Sequence, residues 1–201
     1  MLSVQDLSGS RGERRLFSGI SFALLPGQWL RLAGANGAGK TTLLRILSGL
    51  SPADEGQIRW EGTPVAEQIT EFRSDLLYLG HQPAIKDELS PLENLHQMLA
   101  LDGLTFDPGA AGRALARLGL RGREQLPARV LSAGQRRRLL QARLLLRPAR
   151  LWLLDEPFNA LDDSGVQRLC EIVGEHLRGG GMAVLTSHQP IPLAGGQELR
   201  L

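Results

Sequence analysis

Apolar and polar positions alternate in short, distinct patterns along the first third of the chain. Ile20, Phe22 and Leu24 point one way, Pro26-Gly27 supplies a turn, and Trp29 to Ala33 is an apolar run, which predicts strand, turn and strand. The stretch KTTLLRILSGL, residues 40–50, places Leu43, Leu44, Ile46, Leu47 and Leu50 on one helical stripe, with Gly49 and Pro52 as stop signals. A short helix is therefore expected directly after the second strand. Residues 56–65, GQIRWEGTPV, alternate through Ile58 and Trp60 and turn at Gly62, which predicts an antiparallel hairpin beside the main sheet. From Ser90 the pattern becomes helical. Ser90-Pro91-Leu92-Glu93 has the form of a capping box with proline at the first helical position, Leu92, Leu95 and Leu99 follow at helical spacing, and residues 111–120 predict a further helix. Two later apolar runs, Leu151 to Leu154 and Met182 to Thr186, are short and bounded by polar residues or glycines, as buried parallel strands are.

These elements predict an α/β fold in one domain spanning residues 1–201. Its parallel-sheet core carries an N-terminal antiparallel β subdomain and an inserted α-helical subdomain over about residues 88–147. The 42% apolar content suits a packed core, and the formal charge of +2 makes no strong case for a nucleic-acid partner. The single cysteine, Cys170, has no partner for an internal disulfide, and no basic-then-apolar leader opens the chain, so a reducing, cytosolic setting is expected. The longest nearly apolar stretches carry charge or fall well short of the roughly 20 residues a spanning helix needs, so membrane association would run through a partner.

The chemistry is concentrated in a few motifs. Gly34-Ala35-Asn36-Gly37-Ala38-Gly39-Lys40-Thr41 matches G-x-x-x-x-G-K-T and, with Thr42 behind it, lies between a predicted strand and a predicted helix. Glycines let such a loop turn its N–H groups and the helix N-terminus toward a phosphate; Lys40 supplies a point charge and Thr41 a hydroxyl for Mg²⁺. A plain glycine-rich turn is the bland alternative, and the strand-loop-helix context argues against it. Leu151 to Leu154 leads into Asp155-Glu156, two carboxylates at the end of a buried strand. Asp155 is expected to hold Mg²⁺ and Glu156 to polarise the water that attacks the γ-phosphate, the alternative being a helix cap or solvated turn ahead of Pro157. Gln82 and His188 also follow apolar runs; each alone reads as an ordinary loop residue, but with Gly34 and Asp155 they make four strand ends that converge on one nucleotide.

The run Arg136-Arg137-Arg138, with Arg143, Arg147 and Arg150, reads as a nucleic-acid patch or one solvated helix face. The helical spacing and the lack of interleaved aromatics favour the face. Ahead of it, Leu131-Ser132-Ala133-Gly134-Gln135 would begin that helix, so the Ser132 hydroxyl and the N–H groups around Gly134 form a second candidate anion site. If both anion sites cannot reach one nucleotide, a head-to-tail dimer in which each chain closes its partner's site resolves the duplication.

The phosphate loop, Gln82, LSAGQ, LWLLDE, Asn159-Ala160-Leu161-Asp162 and His188 occur in the order and spacing of ATP-binding cassette ATPases, and the resemblance covers essentially the whole chain. It implies a P-loop NTPase core, ATP and Mg²⁺ as cofactors, and Gln82 near Mg²⁺ at the start of the segment that docks on integral membrane subunits. It further implies a homodimer with ATP sandwiched between the phosphate loop of one chain and Ser132 and Gly134 of the other, with residues 160–162 along the interface and His188 on the γ-phosphate. Two positions depart from the family: Ala133 stands where the signature usually has glycine, and Arg11 lies where an aromatic residue usually stacks on adenine. Within the family, LFSGISF at 16–22, Gly80-His81-Gln82-Pro83 followed by Ile85-Lys86, and Ser187-His188-Gln189-Pro190 resemble the ATPase subunits of bacterial cytochrome c maturation systems. That resemblance implies haem delivery at the cytoplasmic face of the inner membrane. His81, His96 and Cys170 show no haem-ligating constellation and read as structural. Other readings are a cassette ATPase powering a different small-molecule transporter, or a soluble non-transport cassette protein. A kinase or GTPase using the same loop is disfavoured by LSAGQ and by the lack of an N-K-x-D motif.

Overall fold

The computed structural model describes residues 1–81, 84–187 and 191–201. The chain divides into two compact units, one of Met1–His81, Ala149–Pro157 and Gly174–Leu201, the other of Gln82–Pro148 and Phe158–Val173.

The first unit holds two sheets. Strands β1 (Leu2–Arg11), β2 (Arg14–Leu24), β4 (Glu55–Trp60) and β5 (Thr63–Pro64) form an antiparallel sheet in the order β2-β1-β4-β5. Strands β3 (Trp29–Ala33), β6 (Leu76–Leu79), β7 (Leu151–Leu154), β8 (Met182–Thr186) and β9 (Gln197–Arg200) form a parallel sheet in the order β6-β7-β8-β3-β9. Helix α1 (Lys40–Leu47) puts Leu43, Leu44, Ile46 and Leu47 into a core shared with Leu2, Val4 and Leu7 of β1, Leu30 and Leu32 of β3, and Leu151 and Leu153 of β7. The helix stops because Gly49 takes φ 69°: the Gly49 N–H donates to Ile46 O at 3.0 Å and the Leu50 N–H to Arg45 O at 2.9 Å, a Schellman closure. Helix α2 (Ile69–Asp75) precedes β6.

Strand β1 is not evident from the residue pattern. Its pairing with β2 shifts register between Val4 and Leu7 and again around Gly9, and Asp6 sits at φ 48°, so bulges break the period of two on which a strand is recognised.

The second unit is helical: α3 (Pro91–Leu101), α4 (Pro108–Arg117), α5 (Ala133–Gln141), α6 (Arg143–Leu146) and the first part of α7 (Asp163–Arg178). The capping box at Ser90 forms, with Ser90 N–H donating to Glu93 Oε2 at 2.7 Å and Glu93 N–H to Ser90 Oγ at 3.3 Å. Asn94, 1% exposed, ties the preceding loop to α3: its Oδ1 accepts the Lys86 N–H and its Nδ2 reaches the carbonyls of Lys86, Leu89 and Ser90. Helix α4 starts three residues before the expected 111, because Asp107 caps it by accepting the Gly109 N–H at 2.8 Å and Pro108 occupies the first turn.

The arginine-rich segment corrects the expectation of one solvated face. The helix is interrupted at Ala142, Arg137 is 8% exposed, and Arg143 and Arg147 converge on the Asp102 carboxylate at 2.9 and 3.3 Å. Arg150 belongs to the first unit, where its guanidinium lies 5.2 Å from the Trp60 ring centroid and pairs with Glu61. The guanidinium has an apolar stem and planar donors, so a period-3.6 run of arginine is compatible with ion pairs and ring stacking as readily as with solvent. Cys170 is buried, and burial pushes its thiol up to about 11, the signature of an inert structural cysteine.

Asn94→Ala should destabilise the protein more than Ser90→Ala. The first removes a buried amide that makes four hydrogen bonds and leaves the Lys86 N–H without its acceptor, at about 2 kcal/mol, whereas the second removes one capping hydroxyl, at about 1 kcal/mol. Urea unfolding of the two variants checks the ranking.

Candidate functional site

All five strands of the second sheet run parallel, so the loops that leave them emerge at one edge. Leu79 of β6 is in register with Leu154 of β7, Leu154 with Leu185 of β8, and Thr186 with Leu32 of β3. The phosphate-loop sequence, Asp155-Glu156 and Ser187 thus all follow carboxyl ends of neighbouring strands, where ligand groups gather in open α/β sheets.

The loop after β3 is shaped by glycine. Gly37 has φ 79° and Gly39, the N-cap of α1, has φ 108°; a β-carbon on Gly39 would meet Leu16 Cβ at 3.0 Å and Phe17 Cδ1 at 3.1 Å. Gly39 therefore needs both the left-handed backbone and the close approach of β2. Gly34 is tight as well, while Ala35, Asn36 and Gly37 are exposed at the tip and Ala38 closes it, its N–H donating to Ala35 O at 3.2 Å. Lys40 is 7% exposed, and its ammonium donates to the loop carbonyls of Gly34 and Ala35 at 2.8 and 3.0 Å. Thr41 and Thr42 follow in the first turn of α1, Thr41 exposed and Thr42 half-buried.

A continuous polar chain runs behind this loop. The Thr41 hydroxyl donates to Asp155 Oδ2 at 2.7 Å, the Thr186 hydroxyl donates to Asp155 Oδ1 at 2.9 Å, and Thr186 Oγ1 accepts the Glu156 N–H at 2.7 Å. Asp155 is 1% exposed, Glu156 8% and Thr186 0%. Glu156 has φ 50°, left-handed for a residue with a side chain, which costs on the order of 1–2 kcal/mol. The hydrogen bond from its N–H to Thr186 holds it there. Thr186 is the site residue that residue-by-residue reading passes over, since it looks like the polar end of a strand. Its one signal is a hydroxyl at the carboxyl end of a fully buried strand. Hydroxyl and carboxylate oxygens, the donors present, are the hard ligands that Mg²⁺ takes, one or two from protein and the rest from phosphate and water. Among the described residues no group of three or more His, Cys, Asp or Glu is placed to hold a metal ion.

Arg11 ends β1 and is exposed, paired across the hairpin with Arg14. Gln82 and His188 lie outside the described residues.

In the second unit, LSAGQ opens α5 as expected. Ser132 is the N-cap of a capping box: Gln135 N–H donates to Ser132 Oγ at 3.2 Å and Ser132 N–H to Gln135 Oε1 at 3.0 Å, with Ala133 and Gly134 as the first two helical residues. The hydroxyl is used here as an acceptor, which leaves its own proton available for an anion. Asp162 caps α7, accepting the Gly165 N–H at 3.0 Å and the Ser164 hydroxyl at 3.1 Å. The Gly165 N–H, followed by Ser164 and helped by the Arg138 charge, holds its carboxyl below the usual range.

A family model described as ABC transporter matches residues 17–159. The "Cytochrome c biogenesis ATP-binding export protein CcmA" of Methylococcus capsulatus is 50% identical over 194 residues, 96% of this chain and 94% of that protein. The protein of the same name from Escherichia coli strain K12 is 47% identical over 201 residues, all of this chain and 95% of its own length. Among solved structures, a putative ABC transporter ATP-binding protein from Pyrococcus furiosus shares the fold with a TM-score of 0.87 at 24% identity, covering 100% of this chain and 96% of the other. A dimeric ATP-binding cassette in a post-hydrolysis state, bound to ADP and Pi, does so at 0.81 and 21% identity, covering 94% and 88%. A match of this extent, with relatives near half identity along almost the entire length, means that the chain belongs to the ABC transporter family, as one of its ATP-binding subunits.

Proposed function

We propose that this protein hydrolyses ATP as a homodimer to drive an export complex of cytochrome c biogenesis, in which it delivers haem with integral membrane subunits. The full-length identity to the export proteins named above supports the assignment. Among the described residues no helix is long and apolar enough to cross a membrane; the chain would sit peripherally at the cytoplasmic face of the inner membrane, held by its partners.

The observation that carries the mechanism is the hydrogen-bonded line Thr41, Asp155, Thr186, Glu156. In this reading the phosphates lie on the N–H groups of residues 34–42 at the start of α1. The Lys40 ammonium, satisfied by loop carbonyls, turns to the outer phosphates. Mg²⁺ would be held by Thr41 and Asp155, with Gln82 nearby, and when bound it neutralises charge on the phosphates. Glu156 accepts the proton of the attacking water and aligns it on the γ-phosphate; its carboxylate is positioned because Thr186 fixes its backbone. The partner chain's Ser132 hydroxyl and the N–H groups of its Ala133, Gly134 and Gln135 close on the same γ-phosphate, His188 contacts it, and Asp162 borders the dimer interface. Arg11 stands in for the stacking aromatic on adenine, through the face of its guanidinium. Which membrane proteins co-purify after mild detergent extraction separates cytochrome c biogenesis from another small-molecule transporter.

Glu156→Gln should bind ATP normally and hydrolyse it about 10²-fold or more slowly, whereas Lys40→Ala should lose nucleotide affinity itself. Equilibrium binding and steady-state turnover, measured on both variants, distinguish the two effects. Retained turnover in Glu156→Gln removes the general base.

Thr186→Val should lower stability by about 2 kcal/mol, because a buried carboxylate oxygen and an N–H each lose a partner, and should lower turnover as well. Thr186→Ser, which restores the hydroxyl, should recover most of both; chemical denaturation and ATPase assays of the pair check this.

A composite site has a further consequence. Ser132→Arg damages the partner's site and Lys40→Ala its own, so in a mixed dimer both defects fall on one site and the other is intact. Mixing the two inactive variants should therefore restore part of the ATPase activity. A mixture as inactive as its components, together with ATP-dependent dimerisation of Glu156→Gln that persists when Ser132→Arg is added, rejects the composite site.

A further inference from the structure

Glycine at position 134 has a reason within its own chain. An ideal β-carbon there would lie 2.5 Å from the carbonyl oxygen of Ala160 and 3.7 Å from its carbonyl carbon. An ordinary C···O approach is about 3.3 Å or more, so any side chain at 134 must push that carbonyl by roughly 0.8 Å. The obstacle is backbone, and the backbone is pinned. Leu161 N–H donates to Phe158 O at 3.2 Å, closing a turn over 158–161. Ala160 holds the left-handed position of that turn at φ 62°, where glycine is the usual occupant. Just beyond, Asp162 is fixed by Gly165 N–H and Ser164 at the start of α7. Arg138, four residues after Gly134, adds its charge to the bonds from Gly165 and Ser164 that hold the Asp162 carboxyl below the usual range.

We propose that Gly134 is a positioning residue for the turn 158–161: its missing side chain lets the Ala160 carbonyl seat on the first turn of α5, so that the signature and the segment Asn159 to Asp162 move as one body. The inference rests on the composite-site reading for its functional consequence. If the signature of one chain closes on the partner's ATP, the turn it supports is set in place by the same event. A methyl at 134 then disturbs residues 159–162 before it touches any phosphate. The strain at Ala160 is consistent with a turn held by a neighbour, since a left-handed alanine persists where surrounding structure determines it.

The test uses Gly134→Ala, Ala160→Gly and the double variant, with the methyl resonance of Ala160 followed by NMR in the nucleotide-free protein, where no dimer is required. The Ala160 methyl should shift in Gly134→Ala. The kcat for ATP should fall at least about tenfold, as a misplacement near 1 Å produces, while the affinity of the chain's own loop for ATP stays within about twofold. Ala160→Gly, which frees the turn to rotate its carbonyl away, should restore most of the lost kcat in the double variant. An unmoved Ala160 methyl, or no recovery in the double variant, overturns the proposal and returns Gly134 to a role in phosphate approach alone. If Gly134→Ala does not fold, the double variant decides: folding and turnover there support the contact, and continued failure overturns it. Should the methyl shift and the rescue appear while Glu156→Gln fails to dimerise on ATP, the contact stands and the composite site is what fails.

Discussion

A carboxylate that is 1% exposed governs the arrangement of this protein's first unit. Burying a charge is unfavourable by several kcal/mol unless its lone pairs are satisfied, and Asp155 is satisfied by two threonine hydroxyls from different elements, Thr41 at the start of α1 and Thr186 at the end of β8. Those bonds require β3, β7 and β8 to be adjacent, parallel and in register to the residue, which they are. They also require α1 to begin where Lys40 and Thr41 stand, which the left-handed Gly39 enforces. One residue later the same network controls the general-base candidate: Thr186 accepts the Glu156 N–H, and Glu156 stays in a backbone conformation it would otherwise leave. A core of leucines supplies the stability and leaves the geometry degenerate. The carboxylate removes that degeneracy.

Much of this was legible in the chain itself, and the misses have physical causes. The phosphate loop, the strands at 151–154 and 182–186, the capping box at Ser90 and the helix opened by LSAGQ are local patterns, each decided by residues within a few positions of one another. Strand β1 is not legible because bulges destroy its period. The fate of the arginines is not legible in their spacing because the partner that decides it, Asp102, lies 41 and 45 positions away from Arg143 and Arg147, just past the end of α3. Thr186 is hidden for the same reason: a threonine ending a strand is ordinary until the carboxylate 31 positions before it is known to lie within 2.9 Å. Motif residues are visible because they act with sequence neighbours; supporting residues are hidden because they act across the fold.

Ser132 shows how one side chain serves folding and chemistry together. In the capping box its oxygen accepts the Gln135 N–H, which stabilises α5 by about 1 kcal/mol. That use consumes a lone pair and spares the hydroxyl proton, so the proposed contact with a partner's phosphate needs no bond to break. Gln135 is committed in the same way, its Oε1 accepting the Ser132 N–H, so the first turn keeps its shape whether or not an anion is present. A preformed donor set of this kind does not have to be ordered when ligand arrives, and affinity is correspondingly less diminished by entropy.

The glycines of the two anion-binding segments differ in what they answer to. Gly37 and Gly39 have positive φ, so their conformation excludes other residues whatever surrounds them. Gly134 has no such backbone requirement; it is excluded from carrying a side chain by the Ala160 carbonyl 2.5 Å from where a β-carbon would stand. Ala133, beside it, carries a methyl without difficulty, being exposed at the helix start. The signature therefore tolerates alanine at one of its two small positions and not at the other for a reason found inside a single chain. Steric room at 134 is a property of how α5 meets the turn before α7, and the departure at Ala133 leaves that contact intact.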